Sequence, residues 1–195
     1  MHPITLLVFG CTLLLFASAQ NFSIGVSMEQ LRRECLERPD SDKQDGVAVA
    51  FVDGICYMGI EDAMTFDDAL AQCALRFRYT DHFETGTLVR VEDNERFLRV
   101  LNALNKVGHF PCSTGDHHYW TGGHVPFWIQ AGPVYWFEWV DFPGSSVNLE
   151  LFMPGEPNRP GGEFGIAFQC YGEKGLADYP QSELLYPICQ QSVKR

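Results

Sequence analysis

The chain has 195 residues, 46% of them hydrophobic and 13% aromatic, which is enough to bury a core and too apolar for a disordered chain. Its formal charge is -11 and no basic stripe interrupts the acidity, which argues against nucleic acid and anionic membrane surfaces as partners. Acidity suits a protein that works with a cation, but it suits many secreted proteins equally.

Residues 1–19 read as a secretory signal. Ile4 to Phe16 is an apolar run, and Ala17-Ser18-Ala19 is a small-residue cleavage site. The run is too short to span a bilayer, and no later stretch replaces it, so no transmembrane anchor is expected. Asn21-Phe22-Ser23 is an N-glycosylation acceptor close to the expected mature end. Of seven cysteines, Cys11 lies in the signal; Cys35, Cys56, Cys73, Cys112, Cys170 and Cys189 remain. An even count in a secreted chain implies a disulfide framework, whose pairing the spacing leaves open.

Residues 20–50 read as an N-terminal extension. Within it Met28 to Glu37 is a short helix, with Leu31 and Cys35 at i, i+4, and Pro39 to Asp45 is turn-like. Val47 to Tyr57 is β-branched and apolar, broken by the hairpin signal Asp53-Gly54. Thr65 caps a helix with Asp67 and Asp68 in its first turn and Phe66, Ala69, Leu70 and Cys73 on one face. Gly86 to Val91 reads as a strand. Asp93 caps a second helix carrying Phe97, Val100, Leu101 and Leu104 at helical spacing, ended by Gly108.

From Tyr119 the helical period disappears. An aromatic stretch through Phe127, Trp128, Tyr135, Trp136, Phe137 and Trp139 leads into Gly- and Pro-punctuated chain reaching Glu163. Ile166 to Tyr171 and Leu184 to Cys189 are closing strands. Two helices early, short strands late and a long loop between predict an α+β fold with an antiparallel sheet. A loop of that length suggests function or an ion. Met153-Pro-Gly-Glu-Pro-Asn158 stands out in it. A carboxylate and an amide flank a proline that fixes its own φ, and hard oxygens of these two types are what Ca²⁺ takes. Read alone, the stretch favours an ordinary surface turn, since Pro-Gly and Glu-Pro-Asn are common turn chemistry.

Two other chemistries compete with this one. His109, Cys112, Asp116, His117, His118 and His124 crowd one region and include zinc-type donors, but no HxxxH pair lies on a predicted helix, so a structural or surface role is favoured. No Gly-x-Ser-x-Gly motif, P-loop or HExxH is present, and the chain is not read as an enzyme.

Several segments recur in one order: Cys56-Tyr57; Thr65-Phe66 with Ala69 and Cys73; Thr87-Leu88-Val89-Arg90-Val91; Trp120-Thr121-Gly122-Gly123; Trp136-Phe137-Glu138-Trp139; Pro154-Gly155-Glu156-Pro157-Asn158; and Pro187-Ile188-Cys189-Gln190. Together they resemble the C-type lectin-like domain over residues 51–191. The resemblance implies a disulfide-stapled double-loop fold with two helices, small antiparallel sheets and a long loop. It implies a Cys73–Cys189 bond and a Cys35–Cys56 bond to the extension, leaving Cys112 with Cys170. It further implies Ca²⁺ held by Glu156, Asn158, Glu163 and Asp178, and a mannose-type glycan contacted by Glu156, Asn158 and Asp178. One departure matters: Leu176-Ala177-Asp178 stands where the family has Trp-Asn-Asp, so Ala177 replaces an amide ligand and weakens the expected ion. The alternative reading is a domain with weak or lost Ca²⁺ dependence that binds protein or extracellular-matrix polymer.

Overall fold

The computed structural model describes residues 26–37, 46–78, 80–112, 117–127, 136–158 and 162–194. The expected signal, Asn21, the 39–45 turn, Asp116, Trp128 and Tyr135 lie outside the described residues. Among the described residues the chain forms three α-helices and nine strands. In order they are α1 (Met28–Leu36), β1 (Val47–Val52), β2 (Ile55–Ile60), α2 (Phe66–Arg76), β3 (Thr87–Leu88), α3 (Asn94–Leu104), β4 (His118–His124), β5 (Glu138–Trp139), β6 (Phe142–Ser146), β7 (Glu163–Gln169), β8 (Gly175–Pro180) and β9 (Tyr186–Gln191).

Local chemistry explains the first half. Asp53 and Gly54 both have positive φ, 49° and 82°, the backbone that a two-residue hairpin turn needs to match strand twist. The turn closes β1 on β2 in register from Val52↔Ile55 to Val47↔Ile60. The sheet therefore begins at Val47, four residues before residue 51. Thr65 caps α2 by accepting from Asp68 N, and Asp93 caps α3 by accepting from Arg96 N at 2.6 Å. Helix α3 stops at Leu104, and its Leu104 carbonyl is closed by the N–H of Gly108 at 2.9 Å.

Long-range pairing decides the second half. β9 runs antiparallel to β2 and β3, and then parallel to β4 through Tyr119↔Tyr186 and Trp120↔Pro187. The sheet is thus mixed where sequence reading predicts it antiparallel: β9 returns between β2 and β4 with the same direction as β4. The expected strand from Gly86 has ladder partners at Thr87 and Leu88; at Val89 the N–H still donates to Ile188 O on β9 at 2.8 Å, while the carbonyl accepts from Gly122 N at 2.8 Å. β7 pairs β4 on one side and β8 on the other.

Two buried clusters flank this sheet. One joins α3 to β1 and β7 through Phe97, Val100, Leu101, Leu104, Ala50 and Phe168; the other joins α1 and α2 to β2 and β9 through Cys35, Cys56, Phe66, Cys73, Phe77 and Cys189. Trp120 sits fully buried in the second, its indole N–H donating to Met64 O at 2.8 Å. A polar tip inside a core needs such a partner.

Three disulfides staple the fold: Cys35–Cys56, Cys73–Cys189 and Cys112–Cys170. The chain-entropy model scales their effect with the loop closed. Removing Cys73–Cys189, with a separation of 116 residues, is expected to cost about 4–5 kcal/mol. Removing Cys35–Cys56, with a separation of 21, is expected to cost about 3 kcal/mol. Urea unfolding of the two paired Cys→Ser variants checks the order; a larger loss for the shorter loop contradicts it.

Candidate functional site

The loop after β6 is pinned to β8 before it reaches the Glu-Pro-Asn segment. A single 3-10 turn, Leu149–Leu151, is capped by Asn148, whose side chain accepts from Glu150 N at 3.0 Å. The Leu151 carbonyl accepts from Asn94 Nδ2 at 3.0 Å, and Met153 N donates to Leu176 O at 3.0 Å. A tight turn then folds Glu156 N onto Met153 O at 2.9 Å, with Gly155 at φ 89°. Positive φ there suits glycine, which has no Cβ to clash. The Glu156-Pro157 bond is cis.

This brings three of the sequence-predicted residues together. Asn158 N–H is shared between Asp178 Oδ1 at 3.0 Å and Glu156 Oε2 at 3.2 Å, and Asn158 Nδ2 donates to Glu156 Oε1 at 2.8 Å. Asp178 is buried, 4% exposed, on β8, facing a loop that is otherwise open to water. Glu163 starts β7 opposite Pro180. Its Oε2 is shut off from solvent with no hydrogen-bond partner among the described residues. Ala177 is buried next to Asp178 and has no side-chain oxygen to offer.

The electrostatics are those of crowded carboxylates. Burial, then a hydrogen bond with Asp178 and the charge of Asp178, push the Glu156 carboxyl up to about 7, against the opposing pull of the Asn158 N–H groups. Burial and Asp178 also raise Glu163. Farther along β8, burial and then this acidic neighbourhood push the Tyr179 hydroxyl up to about 12. A cation relieves such repulsion, and carboxylate and amide oxygens are its natural ligands. The donor chemistry therefore fits Ca²⁺. In the conformation seen, Glu156 and Asn158 are engaged with each other. Among the described residues, no group of three or more His, Cys, Asp or Glu is placed to hold a metal ion.

The histidines disperse. His117 stacks on Tyr186 at 4.9 Å and meets His109 edge-on at 5.5 Å, while His118 packs against Tyr179. At the other end of β4, His124 Nε2 lies 3.9 Å from Glu138 Oε1, and burial pushes its imidazole below the usual range. These rings pack against aromatic neighbours, and among the described residues they join no group of three or more metal-ligating side chains.

No family model matches the sequence, and no curated protein does. Solved structures do match. The C-type lectin CEL-I from Cucumaria echinata superposes with a TM-score of 0.59 at 18% identity, over 78% of this chain and 99% of that one. The chain has the C-type lectin-like fold. Human lithostathine superposes at 0.54, with 20% identity over 76% of this chain and 90% of its own. A calcium-independent type II antifreeze protein does so at 0.54, with 19% identity over 78% and 95%. In this C-type lectin-like fold the Glu156–Asn158 loop and β8 form one acidic edge.

The raised carboxyl of Glu156 has a direct consequence in metal-free protein. Because the folded carboxyl of Glu156 lies above its ordinary value of 4.5, its contribution to stability is fully present in acid and is lost as pH rises through about 7. The Asn158 backbone amide, bonded to both acids, is the reporter. Its NMR shift is expected to titrate with a midpoint near 7 and to lose that step in Glu156→Gln. A step that survives the substitution assigns the titration elsewhere.

Proposed function

We propose that the protein is a secreted carbohydrate-binding lectin whose site is the edge formed by Glu156, Asn158, Glu163 and Asp178. Ca²⁺ assists it and mannose-type glycans are its preferred ligands. The observation that carries this reading is Asn158 held between two carboxylates at 3.0 and 3.2 Å, which fixes an amide and an acid side by side on an exposed loop. Further support comes from the fold shared with a C-type lectin. The extracellular assignment draws on three disulfides, and among the described residues no helix is long and apolar enough to cross a membrane.

The four residues named would hold the ion, with Asp178 as the buried anchor and Glu156 and Asn158 as ligands open to sugar. When bound, the ion supplies a positive charge on which vicinal hydroxyls rest. Glu156 accepts a hydrogen bond from one hydroxyl, and Asn158 Nδ2 donates to the other. Both must first leave their mutual bond, and Glu156 must give up its proton, so binding strengthens as pH rises through about 7. Ala177 leaves one ligand position to water, which suits an extracellular site of about 10⁻⁴–10⁻³ M affinity. A second reading follows from the same residue. If Ala177 removes the ion altogether, the domain binds protein or matrix polymer without Ca²⁺, as the calcium-independent antifreeze protein has this fold.

Glycan-array binding with and without EDTA separates the two. The first reading expects mannose-type signals that disappear in EDTA. It also expects Glu156→Gln with Asn158→Asp to weaken them about tenfold or more, since each charge-assisted bond lost is worth that factor. The donor and acceptor exchange places, so selectivity moves toward galactose-type sugars. Unchanged selectivity in the folded double variant contradicts this site, and EDTA-insensitive binding favours the second reading.

A further inference from the structure

Away from this loop, a polar cleft opens between the start of α3, β9 and the turn joining β5 to β6. It has a volume of about 270 Å³, and Asp141, Gln190 and Ser192 also line a neighbouring recess of about 420 Å³. None of Glu156, Asn158, Glu163 or Asp178 lines either one. Chain segments far apart in sequence build it. Gly122 N donates to Val89 O at 2.8 Å and Val140 N donates to Gly122 O at 2.9 Å, which brings Asp141 against β9. A Cβ on Gly122 would lie 2.9 Å from Leu88 O, so only glycine permits this approach.

The cleft floor is a fixed polar array. Gln190 is 6% exposed; its Oε1 accepts from Arg90 N at 3.0 Å and its Nε2 donates to Asp141 Oδ2 at 3.2 Å. The amide cannot rotate without breaking both bonds. Arg90 and Arg96 line the wall, and their Nε atoms are buried with no hydrogen-bond partner among the described residues. Arg90 Nε lies 3.4 Å from Glu92 and Arg96 Nε 3.4 Å from Asp53, both long ion pairs, and Arg96 also meets Glu92 through Nη1 at 3.6 Å. Two arginines face Glu92, Asp93 and Asp141, so charge nearly cancels. Burial raises the Asp141 carboxyl, against the pull of the Arg90 charge. Phe142 does not itself line the cleft, but it is 60% exposed and reaches the wall residue Arg90, whose guanidinium lies 5.9 Å from its ring centroid.

Near-neutral charge disfavours a phosphate or a polyanion. Fixed donors and acceptors near an exposed ring fit a ligand with many hydroxyls and an apolar C–H face. We propose that this cleft is a second saccharide site, which takes a neutral sugar against Phe142, Asp141, Gln190 and the two arginines without any cation.

The test uses the full chain carrying Glu156→Gln and Asn158→Asp, in EDTA, so that the loop is silent. Saturation-transfer NMR with maltotriose, cellotriose and chitotriose as probes reads binding. At least one trisaccharide is expected to bind at millimolar concentration. Phe142→Ala and Asp141→Asn, each checked for native circular dichroism, should each weaken it about tenfold. Phe142 is exposed, so its truncation leaves the fold intact. Absence of binding by all three probes overturns the proposal, as does binding that both substitutions leave unchanged. Because the loop is disabled throughout, failure here leaves the loop reading untouched, and failure of the loop reading leaves this one untouched.

Discussion

The position of β9 is the constraint on which the rest of the molecule depends. It is the last strand in sequence and the central one in space, antiparallel to β2 and β3 and parallel to β4. Cys189 on it is bonded to Cys73 on α2, and Gln191 donates to the carbonyls of Arg78 and Glu84. The early hairpin and helices are thereby locked to the late strands by one segment. Trp120 fills the junction, packed edge-on against Phe66 at 5.4 Å and against Tyr179. Loosening β9 would therefore release β4, then β7 and β8, and with β8 the buried Asp178 that anchors the loop.

How much of this was legible follows from the range of each interaction. Helices α2 and α3 announce themselves through Thr65, Asp93 and one apolar face each, all local signals. The β1–β2 hairpin does the same through Asp53-Gly54. Strand β4 is different: Tyr119 through Gly123 are all buried, so no alternation marks it. β8, Gly175-Leu-Ala-Asp-Tyr-Pro180, has no β-branched residue and is a strand only because β7 pairs with it. The parallel β4–β9 contact joins residues with no local trace of one another.

The same rule applies to the sites. Glu156 and Asn158 are visible because a proline sits between them and the loop that carries them is short-range structure. Asp178 was reached through the resemblance alone. The cleft at Gln190 was missed entirely, since its partners Arg90 and Asp141 are 100 and 49 residues away. No spacing rule reaches that far. What links the two regions physically is the sheet itself: one lies where β8 meets a loop, the other where β9 meets the β5–β6 turn. Each holds a raised carboxyl, Glu156 in one and Asp141 in the other, because each packs acid side chains where water is partly excluded.

The central claim is that the Glu156–Asn158 loop and Asp178 form a cation-assisted sugar site. A crystal structure grown with millimolar Ca²⁺ and a methyl mannoside tests it most directly. The account predicts one cation ligated by Glu156, Asn158 and Asp178 oxygens, with the Glu156–Asn158 side-chain bond broken and two sugar hydroxyls on the ion. An intact Glu156–Asn158 bond with no ion beside Asp178 under those conditions contradicts it.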